Sequence, residues 1–177
     1  MNNLCADIGY RSIYHDGEEL CGDHIDVIEQ DDGSTVVVLA DGLGSGVKAS
    51  ILSTLTSKII STMIAAGLSL EDCVQTIAAT LPVCSVRKVA YSTFTILRIV
   101  GSNEAELIQY DNPVAILLRD GEEYDYPKTE LNIEGKKIYQ SKIRLQEGDM
   151  FVLCAYSRMG AAVAHKHEHI ALLQPYF

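Results

Sequence analysis

Two aspartates with spacing suited to a cation site lie on either side of a predicted hairpin turn. Asp23 precedes one predicted strand and Asp41 ends the next, and each lies about nine residues from the turn at Asp32 and Gly33. Two neighbouring carboxylates repel each other unless a cation neutralises them. Hard cations such as Mg²⁺ and Mn²⁺ bind carboxylate and carbonyl oxygens. The spacing therefore predicts a divalent-cation site at the open end of this hairpin, with an ordinary Asp-Gly turn as the alternative.

A glycine-rich segment, G-L-G-S-G at residues 42–46, follows Asp41 directly and raises the question of a nucleotide site. The dinucleotide pattern G-x-G-x-x-G would need glycine where Val47 stands, and the P-loop would need lysine directly after its last glycine. Both patterns fail, and Asp41 would repel a phosphate unless a metal ion lay between them. A nucleotide-binding module is therefore the least favoured of three functions that we consider.

Composition indicates one compact domain and excludes several kinds of partner. The chain has 177 residues, of which 47% are apolar, and carries 14 Lys+Arg against 24 Asp+Glu, a formal charge of −10. This charge argues against binding to nucleic acid or to an anionic membrane. The sequence contains neither a signal peptide nor a run of about 20 apolar residues, so we expect a cytoplasmic protein. Five cysteines without a C-x-x-C pair indicate neither a disulfide framework nor a thiolate zinc site.

The elements that would position the two aspartates follow from periodicity. Residues 25–30 and 34–40 predict a strand pair, and a four-residue apolar period predicts a helix from Gly46 to about Ala66 and Gly67. A shorter helix should follow from Ser69 to Leu81. Further strands are predicted at residues 91–100, 104–110, 114–119, 137–145 and 150–154. This order indicates an α+β layered domain rather than alternating βαβ units.

The long helix should pack on a sheet through its apolar face. We expect the core-facing residues to be Leu52, Leu55, Ile59 and Met63, because these recur at helical spacing on one side.

Four segments in their order along the chain resemble a known family. They are C-G-D at 21–23, V-L-A-D-G-L-G-S-G-V-K-A at 38–49, Y-S-T-F-T-I at 91–96 and Y-D-N-P at 110–113. Together they resemble the SpoIIE-type bacterial branch of the metal-dependent type-2C protein serine/threonine phosphatases, from about Gly22 to Cys154. The resemblance implies an α-β-β-α sandwich of two antiparallel sheets flanked by helices, with a two-metal site at one end.

The resemblance also assigns roles to residues. It implies that Asp23 and Asp41 hold Mn²⁺ or Mg²⁺ and that Gly42 contributes its carbonyl oxygen, so that a metal-activated water attacks the phosphomonoester. The substrate it implies is phosphoserine or phosphothreonine on a regulatory partner protein, and the chain could form a homodimer.

The sequence departs from the family after Cys154. The family continues with S-D-G, whose aspartate is a further metal ligand, whereas this chain reads A-Y-S-R-M-G at 155–160 and has no aspartate after Asp149. We therefore expect a phosphatase-like domain over residues 1–154 and an atypical tail of the same domain over 155–177, loosely ordered or packed unlike the family. A non-catalytic regulatory binding module of the same fold is the alternative to an enzyme.

A change of reading frame would explain this departure. If the codons for residues 157–160 are AGT-CGG-ATG-GGN, reading from the last T of the first codon gives TCG-GAT-GGG, which encodes Ser-Asp-Gly. The hypothesis is that the coding DNA contains this alternative frame and that phosphoester turnover rises when the frame is restored, with a chance match of three residues as the alternative. A DNA sequence whose other frames lack Ser-Asp-Gly at this point would contradict the explanation.

Overall fold

The computed structural model describes residues 5–12, 20–44, 46–80, 92–101, 103–156 and 167–176, with side chains up to residue 155. Two helices occur in this part of the chain, α1 (Gly46–Ala65) and α2 (Leu70–Thr80). The strands are β1 (Cys5–Ser12), β2 (Asp23–Glu29), β3 (Thr35–Gly42), β4 (Ser92–Val100), β5 (Glu104–Tyr110), β6 (Ile116–Arg119), β7 (Glu122–Glu123), β8 (Thr129–Ile133), β9 (Lys136–Arg144), β10 (Met150–Tyr156) and β11 (His167–Tyr176).

The strands form two antiparallel sheets that pack face to face. The larger sheet has the order β2-β3-β4-β5-β9-β8, and the smaller one has the order β1-β11-β10-β6-β7. Strand β3 is buried along nearly its whole length because it has a layer of structure on both faces. The α+β class and the two packed antiparallel sheets predicted from the sequence are confirmed.

Two apolar layers fill the space on either side of the six-stranded sheet. Alternate β3 residues point in opposite directions, so Val37 and Leu39 lie in the layer between the sheets while Val36 and Val38 lie under the helices. Phe151 and Leu153 of β10 complete the layer between the sheets. Both α1 and α2 contribute to the outer layer, so the helices of the described residues flank the six-stranded sheet.

Most predicted elements are present with shifted ends. The hairpin of β2 and β3, both helices and strand β5 match the sequence-based assignment, and α1 ends at the predicted glycine. Gly67 has a φ of +84°. Its N–H donates to the Ile64 carbonyl while Leu68 N–H donates to Met63, which is a Schellman cap. Ser69 Oγ accepts from the Asp72 N–H and so caps α2 as the sequence indicates.

Several strands were not predicted, and the tail contains one of them. Strands β1, β7, β8 and β11 had no assignment from the sequence. Strand β11 pairs with both β1 and β10, so residues 167–176 lie inside the five-stranded sheet. Of the two alternatives predicted for the tail, loose order does not hold for these residues, and packing unlike the family stays a prediction. Residues 157–166 lie outside those described. Cys73 and Cys154 are buried free thiols.

The rotation of α1 differs from the prediction. Leu55 and Ile59 are exposed and Leu52 and Met63 are half-buried, so the predicted core face is wrong for the first two residues. The side that meets the sheet consists mainly of small residues: Ala49, Ser53, Thr56, Ser57, Ile60, Ser61 and Ile64. Small side chains let the helix approach β2 and β3 closely. Their hydroxyls find acceptors there and within the helix, as described below.

We expect this rotation to be visible in mutant stability. Ile60→Ala should lower the free energy of unfolding by about 2–5 kcal/mol, because Ile60 is fully buried. Each kcal/mol should lower the melting temperature by roughly 2–4 °C in a domain of this size. Leu55→Ala should change stability by no more than about 0.5 kcal/mol. Equal losses in the two variants, measured by thermal unfolding, would show that Leu55 belongs to the core after all.

Neither of the described helices is long and apolar enough to cross a membrane.

Candidate functional site

Asp23 and Asp41 lie directly opposite each other on neighbouring strands. The register of β2 and β3 pairs Asp23 with Asp41, so their Cβ atoms should be about 4.5–5.5 Å apart on one face of the sheet. That face is the one that meets the other sheet, because Ile25 and Leu39 of the same two strands pack in the layer between the sheets. The two side chains are 6% and 8% exposed. The sandwich therefore holds two nearly buried carboxylates at one end.

The glycine turn brings two backbone carbonyls close to Gly22, the residue before Asp23. A Cβ atom placed on Gly22, the residue before Asp23, would lie 3.9 Å from the Gly44 carbonyl oxygen and 4.0 Å from that of Gly42. The N–H of Gly42 donates to the Gly22 carbonyl at 3.1 Å, which holds the two chain segments together. Two backbone carbonyls of the glycine turn thus lie near the start of β2.

Gly42 also lies against the first turns of α1. A Cβ atom at Gly42 would be 2.0 Å from the Ala49 carbonyl oxygen and 2.6 Å from its carbonyl carbon. No side chain fits at this distance, so glycine is required at position 42 by contact with the helix. This contact sets the position of the α1 N-terminal turns relative to Asp41.

A polar network on β4 supports Asp41 from the other side. Strand register places Thr93 opposite Asp41, and Ser92 Oγ donates to the Asp41 carbonyl at 2.8 Å. Thr93 Oγ1 donates to Asn112 Oδ1 at 2.5 Å, and Asn112 Nδ2 donates to Thr95 Oγ1 at 3.2 Å. These buried hydroxyls and the amide satisfy one another, so the network fixes β4 and the turn after β5 beside the carboxylates.

A second polar cluster, the Asp26 cluster, lies on the opposite face of β2 and holds α1. The Asp26 carboxylate accepts hydrogen bonds from Ser57 Oγ at 3.0 Å, Lys58 Nζ at 2.5 Å and Ser61 Oγ at 3.4 Å. His24 Nε2 lies 3.7 Å from the same carboxylate. Burial of Asp26 opposes its ionisation, but the hydrogen bonds from Lys58 and Ser57 outweigh this effect and hold the pKa of its carboxyl below the ordinary value.

We expect Asp26→Ala to lower the free energy of unfolding at neutral pH by about 1–3 kcal/mol, because buried hydroxyls and Lys58 lose their acceptor. Since the pKa of Asp26 is lowered by folding, its stabilisation is present above the ordinary value and is lost as the pH falls through the folded-state value. The difference between variant and wild type in denaturant unfolding should therefore shrink below about pH 4. Asp31→Ala, which removes an exposed carboxylate from the turn of the same hairpin, is the control, and an equal loss there would contradict the assignment.

Asp149, the last aspartate of the sequence, serves the fold and not the site. Its carboxylate accepts hydrogen bonds from Arg119 Nε at 2.8 Å and Arg119 Nη2 at 2.7 Å, and from the Gln146 N–H at 2.9 Å. The side chain is fully buried in this contact. Asp149 therefore fixes the turn before β10 and is committed to Arg119.

The donor set around Asp23 and Asp41 fits one hard divalent cation. All of its atoms are oxygens, and two paired, nearly buried carboxylates favour a positive charge between them. Within the described ranges no group of three or more His, Cys, Asp or Glu side chains could hold a metal ion. The described residues therefore match part of the two-metal site that the resemblance implies, and the ligand roles of Asp23, Asp41 and Gly42 stay predictions.

Sequence reasoning found the two carboxylates but not the residues that support them. Thr95 lies in β4 and Asn112 in the turn after β5, and the two meet only through the register of β4 and β5. The alternation of hydroxyl-bearing and apolar residues at 93–96 was the available signal, because it places polar groups on one face of an otherwise buried strand.

Comparison with known proteins identifies a family for this chain. A family model described as Stage II sporulation protein E (SpoIIE) matches residues 31–155. A search of curated protein sequences found no match.

Solved structures with the same fold include several bacterial phosphatases. The PP2C phosphatase domain of SpoIIE from Bacillus subtilis, solved with a fragment of its regulatory domain, superposes with a TM-score of 0.79 at 12% identity. That alignment covers 98% of this chain, which spans 64% of the length of the other. RsbX in complex with magnesium gives a TM-score of 0.70 at 18% identity, covering 99% and 97% of the two chains. The S. agalactiae serine/threonine phosphatase gives 0.69 at 14%, covering 97% and 99%.

Proposed function

Because the chain belongs to the SpoIIE family, we propose that it is a metal-dependent phosphatase that hydrolyses phosphoserine or phosphothreonine on a regulatory partner protein. The observation that carries this proposal is the pairing of Asp23 with Asp41 at the end of the layer between the sheets. Two buried like charges in direct opposition destabilise the fold unless a cation joins them. The pairing of these two charges therefore supports the proposal that this end of the sandwich binds a cation.

Asp23, Asp41 and the Gly42 carbonyl would hold the cation, with Mg²⁺ or Mn²⁺ as the candidates. RsbX, which has the same fold, was solved in complex with magnesium, and this supports a hard divalent ion for the present chain. When bound, such an ion lowers the pKa of a coordinated water and neutralises charge on phosphoryl oxygens. The contribution of the protein itself is to hold the ligand Asp41 in place. The Ser92 hydrogen bond and the contact of Gly42 with Ala49 hold Asp41 at a fixed place between β2, β4 and α1.

A non-catalytic binding module of the same fold is the second candidate. Two observations favour it: the commitment of Asp149 to Arg119 and the lack of a three-ligand group in the described residues. Such a protein would bind one cation or a phosphorylated partner without turnover. A cytoplasmic location remains a prediction under either function.

Phosphate release by the full-length chain distinguishes these candidates. The assay uses phosphoserine and phosphothreonine peptides with Mn²⁺ or Mg²⁺, and calorimetry measures metal binding to the same samples. A phosphatase should release phosphate only with the metal present and should lose this activity in Asp41→Asn. Asp32→Asn, the same change at the exposed turn of the same hairpin, should leave activity intact. Metal binding without phosphate release would support the binding module. The absence of both metal binding and phosphate release would reject the phosphatase and the cation-binding form of the module.

A further inference from the structure

Asn112 fastens the chain where it crosses from one sheet to the other, at the end of the sandwich that holds Asp23 and Asp41. It lies in the turn between β5 of the six-stranded sheet and β6 of the five-stranded sheet. Its side chain is buried, and both of its polar atoms form hydrogen bonds. The Oδ1 atom accepts from Thr93 Oγ1 at 2.5 Å, and the Nδ2 atom donates to Thr95 Oγ1 at 3.2 Å. One amide thus holds two hydroxyls of β4.

The lengths of these two hydrogen bonds fix the direction in which the Thr93 hydroxyl donates. Hydrogen bonds between two oxygens are shorter than those from a nitrogen donor, so the shorter contact contains the amide oxygen and the longer one the amide nitrogen. The amide oxygen of Asn112 is an acceptor only, so Thr93 is the donor in the shorter bond. A hydroxyl carries a single proton. The Thr93 hydroxyl therefore has only lone pairs left for its other neighbours.

One of those neighbours is the carboxylate of Asp41. Thr93 is the residue of β4 directly opposite Asp41, so the two side chains lie on the same face with Cβ atoms about 4.5–5.5 Å apart. A Thr93 hydroxyl that could turn would donate to this carboxylate, because a hydrogen bond to a charged acceptor is stronger than one to a neutral amide. Such a bond would occupy a lone pair of Asp41 and stabilise its charge without a cation. A cation would then bind less tightly.

We propose that Asn112 is a positioning residue of the cation site. By accepting the Thr93 proton, it keeps this hydroxyl from competing with a cation for the Asp41 carboxylate. Asn112 acts through Thr93 and needs no contact with the cation itself. Replacing groups that support a metal ligand in this way lowers metal affinity by about 10–100-fold. The inference rests on the cation site of the proposed function but does not depend on phosphatase turnover.

Gln109 offers a matched control, because it fastens the other end of the same turn. Its Oε1 atom accepts from the Ala115 N–H at 2.6 Å, and its side chain is buried, as that of Asn112 is. Gln109 holds the backbone of Ala115, whereas Asn112 holds the hydroxyl opposite Asp41. Replacing either amide should weaken the turn. Only the replacement of Asn112 should release the Thr93 proton.

Calorimetric titration of the full-length chain with Mn²⁺ tests the proposal. Asn112→Ala should lower the Mn²⁺ affinity by about tenfold or more, whereas Gln109→Ala should leave it unchanged. Thermal unfolding in EDTA measures the stability of the same variants, and both should be less stable than the wild type. Equal losses of Mn²⁺ affinity in the two variants, or none in Asn112→Ala, would overturn this inference alone. A wild-type chain that binds no Mn²⁺ would overturn the proposed cation site as well.

A second substitution at Thr93 shows whether Asn112 acts through that hydroxyl. Valine has the shape of threonine but no proton to donate, so Thr93→Val removes the competitor. Adding Thr93→Val to Asn112→Ala should therefore restore Mn²⁺ affinity, which a purely structural role of Asn112 would not allow. Asn112→Leu fills the same space without an acceptor and gives the same comparison if the alanine variant does not fold. A loss of equal size with Thr93 or Val at position 93 would overturn the inference.

Discussion

Replacing Gly42 with alanine is expected to destabilise the protein by at least about 3 kcal/mol, the upper end of the ordinary cost of overpacking. The added Cβ atom would lie 2.0 Å from the Ala49 carbonyl oxygen, and the next nearest atoms also belong to the backbone of Ala49. A side chain could rotate away from such a contact, but the backbone of a helix cannot. The first turns of α1 or the end of β3 must therefore move, and either movement displaces Asp41.

Denaturant unfolding of Gly42→Ala measures this loss. Gly9→Ala is the matched control, because a Cβ atom at Gly9 meets nothing within 4 Å and the residue also lies in a strand. The control should change stability by no more than about 0.5 kcal/mol. A stable Gly42→Ala variant with the wild-type unfolding midpoint would show that α1 lies farther from β3 than the structure has it.

The hairpin that carries both carboxylates was predictable because its signals are local. A turn with Asp32 and Gly33 fixes the register of the flanking strands, and Gly33 takes a φ of +78° there. Counting outward from this turn was enough to place Asp23 opposite Asp41. The Schellman cap of α1 at Gly67 was predictable for the same reason, since a single residue type at the end of an apolar pattern specifies it.

The face of α1 was not predictable from the same kind of pattern. An apolar row at helical spacing indicates a buried face, but it does not say whether the protein's own sheet or another molecule covers that face. The decisive contacts join Asp26 to Ser57 and Ser61, more than thirty positions later in the sequence. A serine-rich face is an ordinary helix surface until an acceptor on a neighbouring strand is known.

The missed strands share a related cause. Strand β8 alternates weakly and has mostly exposed residues, so its pattern resembles a loop until it pairs with β9. Strands β1 and β11 come from opposite ends of the described chain and pair with each other. The supporting network of Thr93, Thr95 and Asn112 likewise exists only after β4 and β5 have paired. The periodicity of a sequence does not specify which distant strands pair or in which register.

The pairing of Asp23 with Asp41 should affect the metal-free and the metal-bound protein in opposite directions. Without metal, the carboxylates repel each other across the strand pair, and the repulsion is strong because both are nearly buried. With metal, the same charges are the main attraction for the cation. Removing one of these two charges should therefore stabilise the metal-free protein and weaken its binding of the metal. Replacing a residue with only a structural role would not have both effects.

Asp41→Asn should keep or raise the melting temperature in EDTA. Its affinity for Mn²⁺ should fall by on the order of 100-fold, because replacing even a residue that only supports a metal ligand lowers metal affinity by about 10–100-fold. The stabilisation that Mn²⁺ gives the wild type by mass action should disappear at the same metal concentration. Calorimetry and thermal unfolding, each with and without Mn²⁺, measure both parts. Asp31→Asn should behave as the wild type, because that carboxylate is exposed at the turn of the same hairpin. Unchanged Mn²⁺ affinity in Asp41→Asn would remove Asp41 from the metal site, and a lower melting temperature in EDTA would show that the carboxylate stabilises the metal-free fold.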